Sequence, residues 1–420
     1  MNPHDLRARC LLGLVHMSSV FYLRRSFARV REKCRAYAGV VLTLCLLGTL
    51  SSAAFADAMD QARRIHDRLA GVPPTDQVLL DMTDDINGVG GRTEIDAANR
   101  AMDNPGFYNV TLKNWVAPWT NRDQSVFVPL NDYTATVIGM VRDDVPFNTL
   151  LSANIVYVGG SGLGLPAYSM TNNDHYEQME AQGIDLQANL VQMAQTAVTD
   201  LPAAGVAGIV TTRAAAEAFF VAGTNRAMFR FTMVNHLCND MEQVKDITRA
   251  PDRIRQDVSR SPGGDSRIFL NNCIGCHTGM DPLAQAYAYY DFDETLQRIT
   301  YTPGQVQPKY FNNDANFPPG FVTPDDSWTN YWRAGQVELL GWDPNLPGSG
   351  AGAASMGAEL ANSQGFAQCQ MKKVFKAVCL REPVDQSDRD QVDTMVGSFT
   401  GGSYNMKRSF AEAAVFCKGP

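Results

Sequence analysis

Residues 273–293 read Cys-Ile-Gly-Cys-His-Thr-Gly-Met-Asp-Pro-Leu-Ala-Gln-Ala-Tyr-Ala-Tyr-Tyr-Asp-Phe-Asp, and their first five residues are the only C-x-x-C-H in the chain. On a helix turning about 100° per residue, positions i, i+3 and i+4 share one face. Cys273, Cys276 and His277 can therefore address one side of one flat group. Two thiols and an adjacent imidazole in this order form the attachment pattern of haem c: the thiols bond the vinyl carbons and the imidazole takes an axial position on iron. Zinc would want a second ligand pair at similar spacing, which the sequence lacks. A thiol oxidoreductase would want a βαβ setting with its reactive Cys opening a helix. The pattern implies one haem c, held by Cys273 and Cys276 with His277 as proximal iron ligand. In the flanks, Pro262-Gly263-Gly264 reads as a loop, Asp265 or Ser266 as a cap and Gly279 as a helix stop. Asp281-Pro282 reads as the start of a second helix, Pro282–Tyr290.

The first residues read as an export leader. Arg7, Arg9, Arg24, Arg25, Arg29, Arg31, Lys33 and Arg35 oppose only Asp5 and Glu32, an apolar run covers Ala38 to Leu50, and Ala54-Phe55-Ala56 precedes Asp57. That is the charged, apolar and A-x-A order of a signal peptide, residues 1–56. The run is short for a bilayer span of ~20 apolar residues, so cleavage is favoured over an inner-membrane anchor, and the protein is expected to be periplasmic or secreted. Losing eight basic and two acidic residues takes the formal charge from −8 to −14. So acidic a chain offers no electrostatic case for nucleic acid or anionic membranes, while a basic redox partner would be steered toward it. No later segment is long and apolar enough to span a bilayer.

Six cysteines follow the leader, and two belong to the haem motif. The remaining Cys238, Cys369, Cys379 and Cys417 are an even set suited to disulfides. Phe366 to Leu380 reads as one helix, which sets Cys369 and Cys379 about 15 Å apart along its axis. A disulfide needs Cα atoms within about 7 Å. Two pairings remain open: Cys238–Cys369 with Cys379–Cys417, or Cys238–Cys379 with Cys369–Cys417.

Periodicity and caps predict a mainly helical protein. The expected divisions are a mainly helical N-terminal domain, 57–250, and a C-terminal helical monohaem cytochrome c-like domain, 251–420. Helices are expected over Asp57–Ala70, Asp76–Asp84, Thr93–Met102, Tyr133–Val141, Gln178–Thr199, Thr211–Ala222, Asn225–Asn239, Phe366–Leu380 and Met406–Phe416. Ser125–Leu130 and Asn154–Val158 read as strands or loop anchors. The run Gly159-Gly160-Ser161-Gly162-Leu163-Gly164 fails as a nucleotide loop, because no helix start follows it. Residues 303–350 form a long loop rich in aromatics, Pro and Gly, with Trp328, Trp332 and Trp342, read either as a wall of the haem pocket or as loop anchors.

The second iron ligand is less legible. Met280 follows His277 too closely to cross the ring, so it is expected to pack beneath it. Met356, between glycines, reads as a loop position from which its thioether reaches the distal face. Met371 falls on an apolar stripe and reads as core. His66, His175 and His236 are the other histidines after the leader, and His236 projects opposite its helix's apolar stripe, as a surface residue. The acidic pairs, and Asp291-Phe292-Asp293-Glu294, lack a complete calcium pattern and read as solvated charges or caps.

The segment 273–293 resembles the planctomycete-type cytochrome domains, in which C-x-x-C-H-x-x-M-D-P-L precedes a short helix ending in an aromatic-Asp pair. Val145–Leu151, Phe366–Pro383 and Tyr404–Phe416 are similar to flanking segments of those proteins. Ala284 stands where the family motif carries Gly, and the large binding domains often fused to such modules are missing from the sequence. The resemblance implies an exported haem protein and leaves the reaction unspecified. The expected function is one-electron transfer with a periplasmic donor and acceptor. Two alternatives are a secreted binding or structural module stabilised by haem, and a single-haem oxidoreductase with an open distal site.

Overall fold

A cap at each end explains why the chain after Asp57 begins as helices. Asp57 accepts a hydrogen bond from the Asp60 backbone at 2.8 Å, and Gly71 closes the helix Ala58–Ala70 in the left-handed region at φ 70°. Its stripe Ala62, Ile65, Leu69 has no exposed surface. Thr75 caps Asp76–Ile86, and Thr93 with Asp96 forms a capping box for Glu94–Met102. Asp85, fully buried on the second helix, is held by Arg92 and Arg100 at 2.9 Å each. The computed structural model describes residues 57–220, 224–255, 266–311 and 320–419. The expected leader, 1–56, lies outside them.

The described protein is mainly helical, with three two-stranded antiparallel ribbons. Helix Asp132–Arg142 is buried on all sides from Asp132 to Val141, as a central helix must be. Gly139 lies against the Tyr157 ring, where a Cβ would come within 2.1 Å of a ring carbon. The C-terminal helix Met406–Phe416 packs on Glu94–Met102 and Ala58–Ala70, with Lys418 paired to Glu94 at 3.1 Å. One apolar core therefore draws on Ile65, Tyr133, Phe229, Leu283, Phe366 and Phe410 alike. The described residues from Asp57 on belong to one compact unit, and this core draws on both sides of position 250.

The two disulfides are Cys238–Cys369 and Cys379–Cys417, with Cα atoms 5.2 and 5.5 Å apart. This is one of the two pairings left open by the sequence. Cys369 and Cys379 do share one helix, Gln364–Cys379. The first bond closes a separation of 131 residues and the second one of 38, worth about 5 and about 4 kcal/mol on chain entropy alone.

Several expectations are corrected. The helix expected over Gln178–Thr199 breaks after Ala181, where Gly183 at φ 62° turns the chain. Leu190–Met193 then forms a strand paired antiparallel with Val156–Gly159. Ser125–Leu130, left open between strand and loop anchor, forms no strand. Met356 is not in a loop: Gly352, at φ 78°, precedes the helix Ala353–Ala361. A further helix, Gln386–Gly401, capped by Asp385, was not expected. Among the described residues, no helix is long and apolar enough to cross a membrane.

The long disulfide gives a direct test. Replacing both Cys238 and Cys369 by Ser is expected to lower unfolding free energy by about 2–5 kcal/mol. Urea melts would show this as a lower midpoint, and an unmoved midpoint would contradict the role given to that bond.

Candidate functional site

The CxxCH segment begins with an irregular turn. Ser266–Ile268 leads into a π-helical turn, Phe269–Cys273, and then into the α-helix Ile274–Ala284. Wide turns of this kind shift every later side chain around the axis and recur at functional sites. From Cys273 onward the ordinary spacing holds, so Cys273, His277 and Asp281 form one stripe at i, i+4 and i+8, with Cys276 and Met280 beside it.

The helix does not stop at Gly279, nor does a new one open at Pro282. It runs through both to Ala284 and tightens into a 3₁₀ turn at Gln285–Tyr287. Gly279 is needed for packing: a Cβ there would lie 1.9 Å from Nε1 of Trp332, which is fully buried. That contact is on the side away from His277. Trp332 thus backs the helix, and the Trp342 indole donates to the Trp332 carbonyl at 2.8 Å. These tryptophans act as loop anchors, one of the two readings the sequence allowed. On another side Asp246 clasps the helix, its N–H donating to the Gly275 carbonyl and its carbonyl accepting from Thr278 Oγ1, both at 2.8 Å.

Cys273 and Cys276 are half-buried and unpaired, whereas the other four described cysteines are bonded in pairs. Cys276 Sγ lies 3.4 Å from the Met241 carbonyl. Burial pushes its thiol up to about 11, the reverse of the depressed thiol that a redox CxxC or a zinc ligand needs. Among the described residues, no group of three or more His, Cys, Asp or Glu side chains is placed to hold a bare metal ion.

His277 is oriented by its own helix. Its Nδ1 lies 3.0 and 3.1 Å from the two Asp281 carboxylate oxygens, and the Phe269 ring is 5.1 Å away. Asp281 has no exposed side-chain surface. Burial alone would raise its carboxyl, but Arg226, His277 and Arg255 outweigh that and hold it well below the usual carboxylate range. Arg226 Nε donates to Asp281 at 3.1 Å, and the Arg255 guanidinium lies 3.6 Å away. With Nδ1 committed, Nε2 is the nitrogen available to a metal, and none of the described residues bonds it. Two free thiols one turn apart, and a neighbouring imidazole with one nitrogen presented, fit the requirements of haem c.

The remaining candidates are occupied elsewhere. Met356 is 1 % exposed and packed in the core, so reaching iron would cost its helix that packing. Met280 and Met371 are likewise buried. His236 is not a surface residue: it is buried, with its Nε2 2.8 Å from the Tyr133 hydroxyl. The π-turn Met233–Leu237 explains the error, since it rotates His236 off the 100° projection. His175 Nε2 accepts from Gly159 N–H, and His66 Nδ1 bonds the Val72 carbonyl. The acidic run at 291–294 is structural: Asp291 pairs with Lys309, and Asp293 caps its own hairpin turn.

Asp281 was read from the sequence as a cap for a following helix, and Arg226 was not singled out. The i+4 spacing from His277 was the available signal. No family model, no curated protein and no solved structure matches this chain.

The close contact at Gly279 makes a counter-intuitive expectation. Gly279→Ala should help an exposed helix, yet here overpacking against Trp332 is expected to cost about 1–3 kcal/mol. Denaturant melts that show a gain would refute the packing account.

Proposed function

We propose that this chain is an exported c-type cytochrome carrying one haem, joined to Cys273 and Cys276 and ligated by His277, that passes single electrons between soluble partners. The observation that carries this reading is the composition of one helical face: two unpaired thiols and a histidine with one nitrogen engaged, in a protein whose other described cysteines are all paired. Haem, when bound, supplies a one-electron couple whose potential follows from ligation and burial. The residues do the rest. Cys273 and Cys276 would hold the haem through thioethers, each S–H adding across a vinyl double bond with no change of net oxidation state. His277 offers the Nε2 lone pair while Nδ1 keeps its proton against Asp281. Trp332 and Asp246 fix the helix from behind. The acidic chain favours a basic partner.

A second reading, a single-haem oxidoreductase with an open distal position, is favoured by one set of observations. The Met356 thioether and the three other described histidines are all buried in the protein's own packing and hydrogen bonds. The distal role expected of Met356 belongs with the electron-transfer reading. Expression in a host that loads haem c should yield a coloured protein heavier by one haem, with a pyridine haemochrome of thioether type. Cys276→Ala should leave at most one thioether bond. A colourless protein with the mass of its amino acids alone would remove the proposal. A low-spin ferric spectrum fits electron transfer, whereas a high-spin spectrum with fast cyanide binding would move the function to the second reading.

A further inference from the structure

We propose that Asp281 is the positioning residue of this site: its buried carboxylate selects which nitrogen of His277 faces iron, fixes the plane of the ring and lowers the reduction potential. The inference rests on the haem reading above and deepens it.

The geometry is specific on three points. First, Nδ1 of His277 meets both carboxylate oxygens, at 3.0 and 3.1 Å, from a residue one turn along the same helix. Ring and acceptor therefore move as one body, and only Nε2 is left to point away from the helix. Second, Asp281 cannot swing aside. Arg226 grips it at both oxygens, at 3.1 and 3.4 Å, and the Arg255 backbone N–H lies 3.5 Å from Oδ2. The preceding Asn225, at φ 61°, donates to the Tyr287 and Tyr290 carbonyls at 2.8 and 2.9 Å. Two adjacent residues thus pin the motif helix at its middle and beyond its end. Third, the carboxylate is wholly shielded from bulk solvent, which strengthens its hydrogen bond to Nδ1.

A charged acceptor on the far nitrogen of a metal-bound histidine strengthens its hydrogen bond and raises the basicity of the ligand. A more basic imidazole stabilises the more positive, oxidised iron. Arg226 and Arg255 oppose this by adding positive charge nearby. Removing the carboxylate while both arginines stay should therefore make reduction easier by both routes.

The test compares wild type, Asp281→Asn and Asp281→Glu as haem-loaded proteins by spectroelectrochemical titration. Asp281→Asn should be easier to reduce by at least tenfold in the equilibrium constant, about 59 mV for a one-electron couple. Asp281→Glu keeps the charge and should recover most of that shift. An unchanged potential in Asp281→Asn overturns the inference. If that variant does not fold, the wild type still decides. The iron–histidine stretch of its ferrous protein, measured after photolysis of the CO adduct, should lie above that of a haem c pentapeptide in water; equal frequencies overturn the inference. A wild type without covalent haem sinks the cytochrome reading itself, whereas a haem-loaded wild type failing these comparisons sinks only the role of Asp281.

Discussion

A carboxylate with no exposed surface is tolerated only while its counter-charges stay in place, and Asp281 is such a group. Taking one ion out of water costs several kcal/mol even after relaxation, and removing one partner from a buried pair leaves that cost uncovered. The groups that hold Asp281 come from separate stretches of chain: Arg226 from a helix start and Arg255 from an irregular stretch supply charge, and His277 on its own helix a hydrogen bond. Arg255 also stacks on Tyr310 at 4.6 Å, which brings in the aromatic segment beyond 300. Neutralising one carboxylate therefore fixes the relative placement of segments far apart in sequence. The orientation of His277 is a by-product of that constraint.

The same logic of distant partners runs through the fold. The long disulfide joins Cys238, just after the π-turn that buries His236, to Cys369 on a helix near the end of the chain. Near that bond the Gln370 side chain donates to the His236 carbonyl at 3.2 Å. Phe147 packs on Trp115 and Phe366, and Phe410 on Trp115 and Phe107. These contacts cross position 250 repeatedly. The motif helix is thus held by a large shared core rather than by a small module of its own.

How much of this could be read beforehand follows from local physics. Helices with a cap and a clean stripe, such as Ala58–Ala70 and Met406–Phe416, were legible to within a residue, because both signals lie inside the element. Cys369 and Cys379 were rightly kept from pairing, since helix rise alone separates them. One error falls where the backbone leaves the 100° repeat. Phe107–Leu112, Ala216–Phe220, Met233–Leu237 and Phe269–Cys273 are all π-turns, and the one at 233–237 turned a buried histidine into an apparent surface one. Gly279 and Gly352 were misread for a related reason. A glycine in a sequence signals missing bulk without saying whether a turn, a helix start or an indole needs the space. At the site, the thiols and His277 were plain from spacing, but the Arg226 contact joins residues 55 apart in sequence, and no local pattern encodes it.

The last helix has a consequence for biosynthesis. Met406–Phe416 completes the packing of Glu94–Met102 and Ala58–Ala70, and Cys417 holds its end to Cys379. The first helices thus lack this partner for as long as residues 406–416, more than 300 positions further along the sequence, are still unmade.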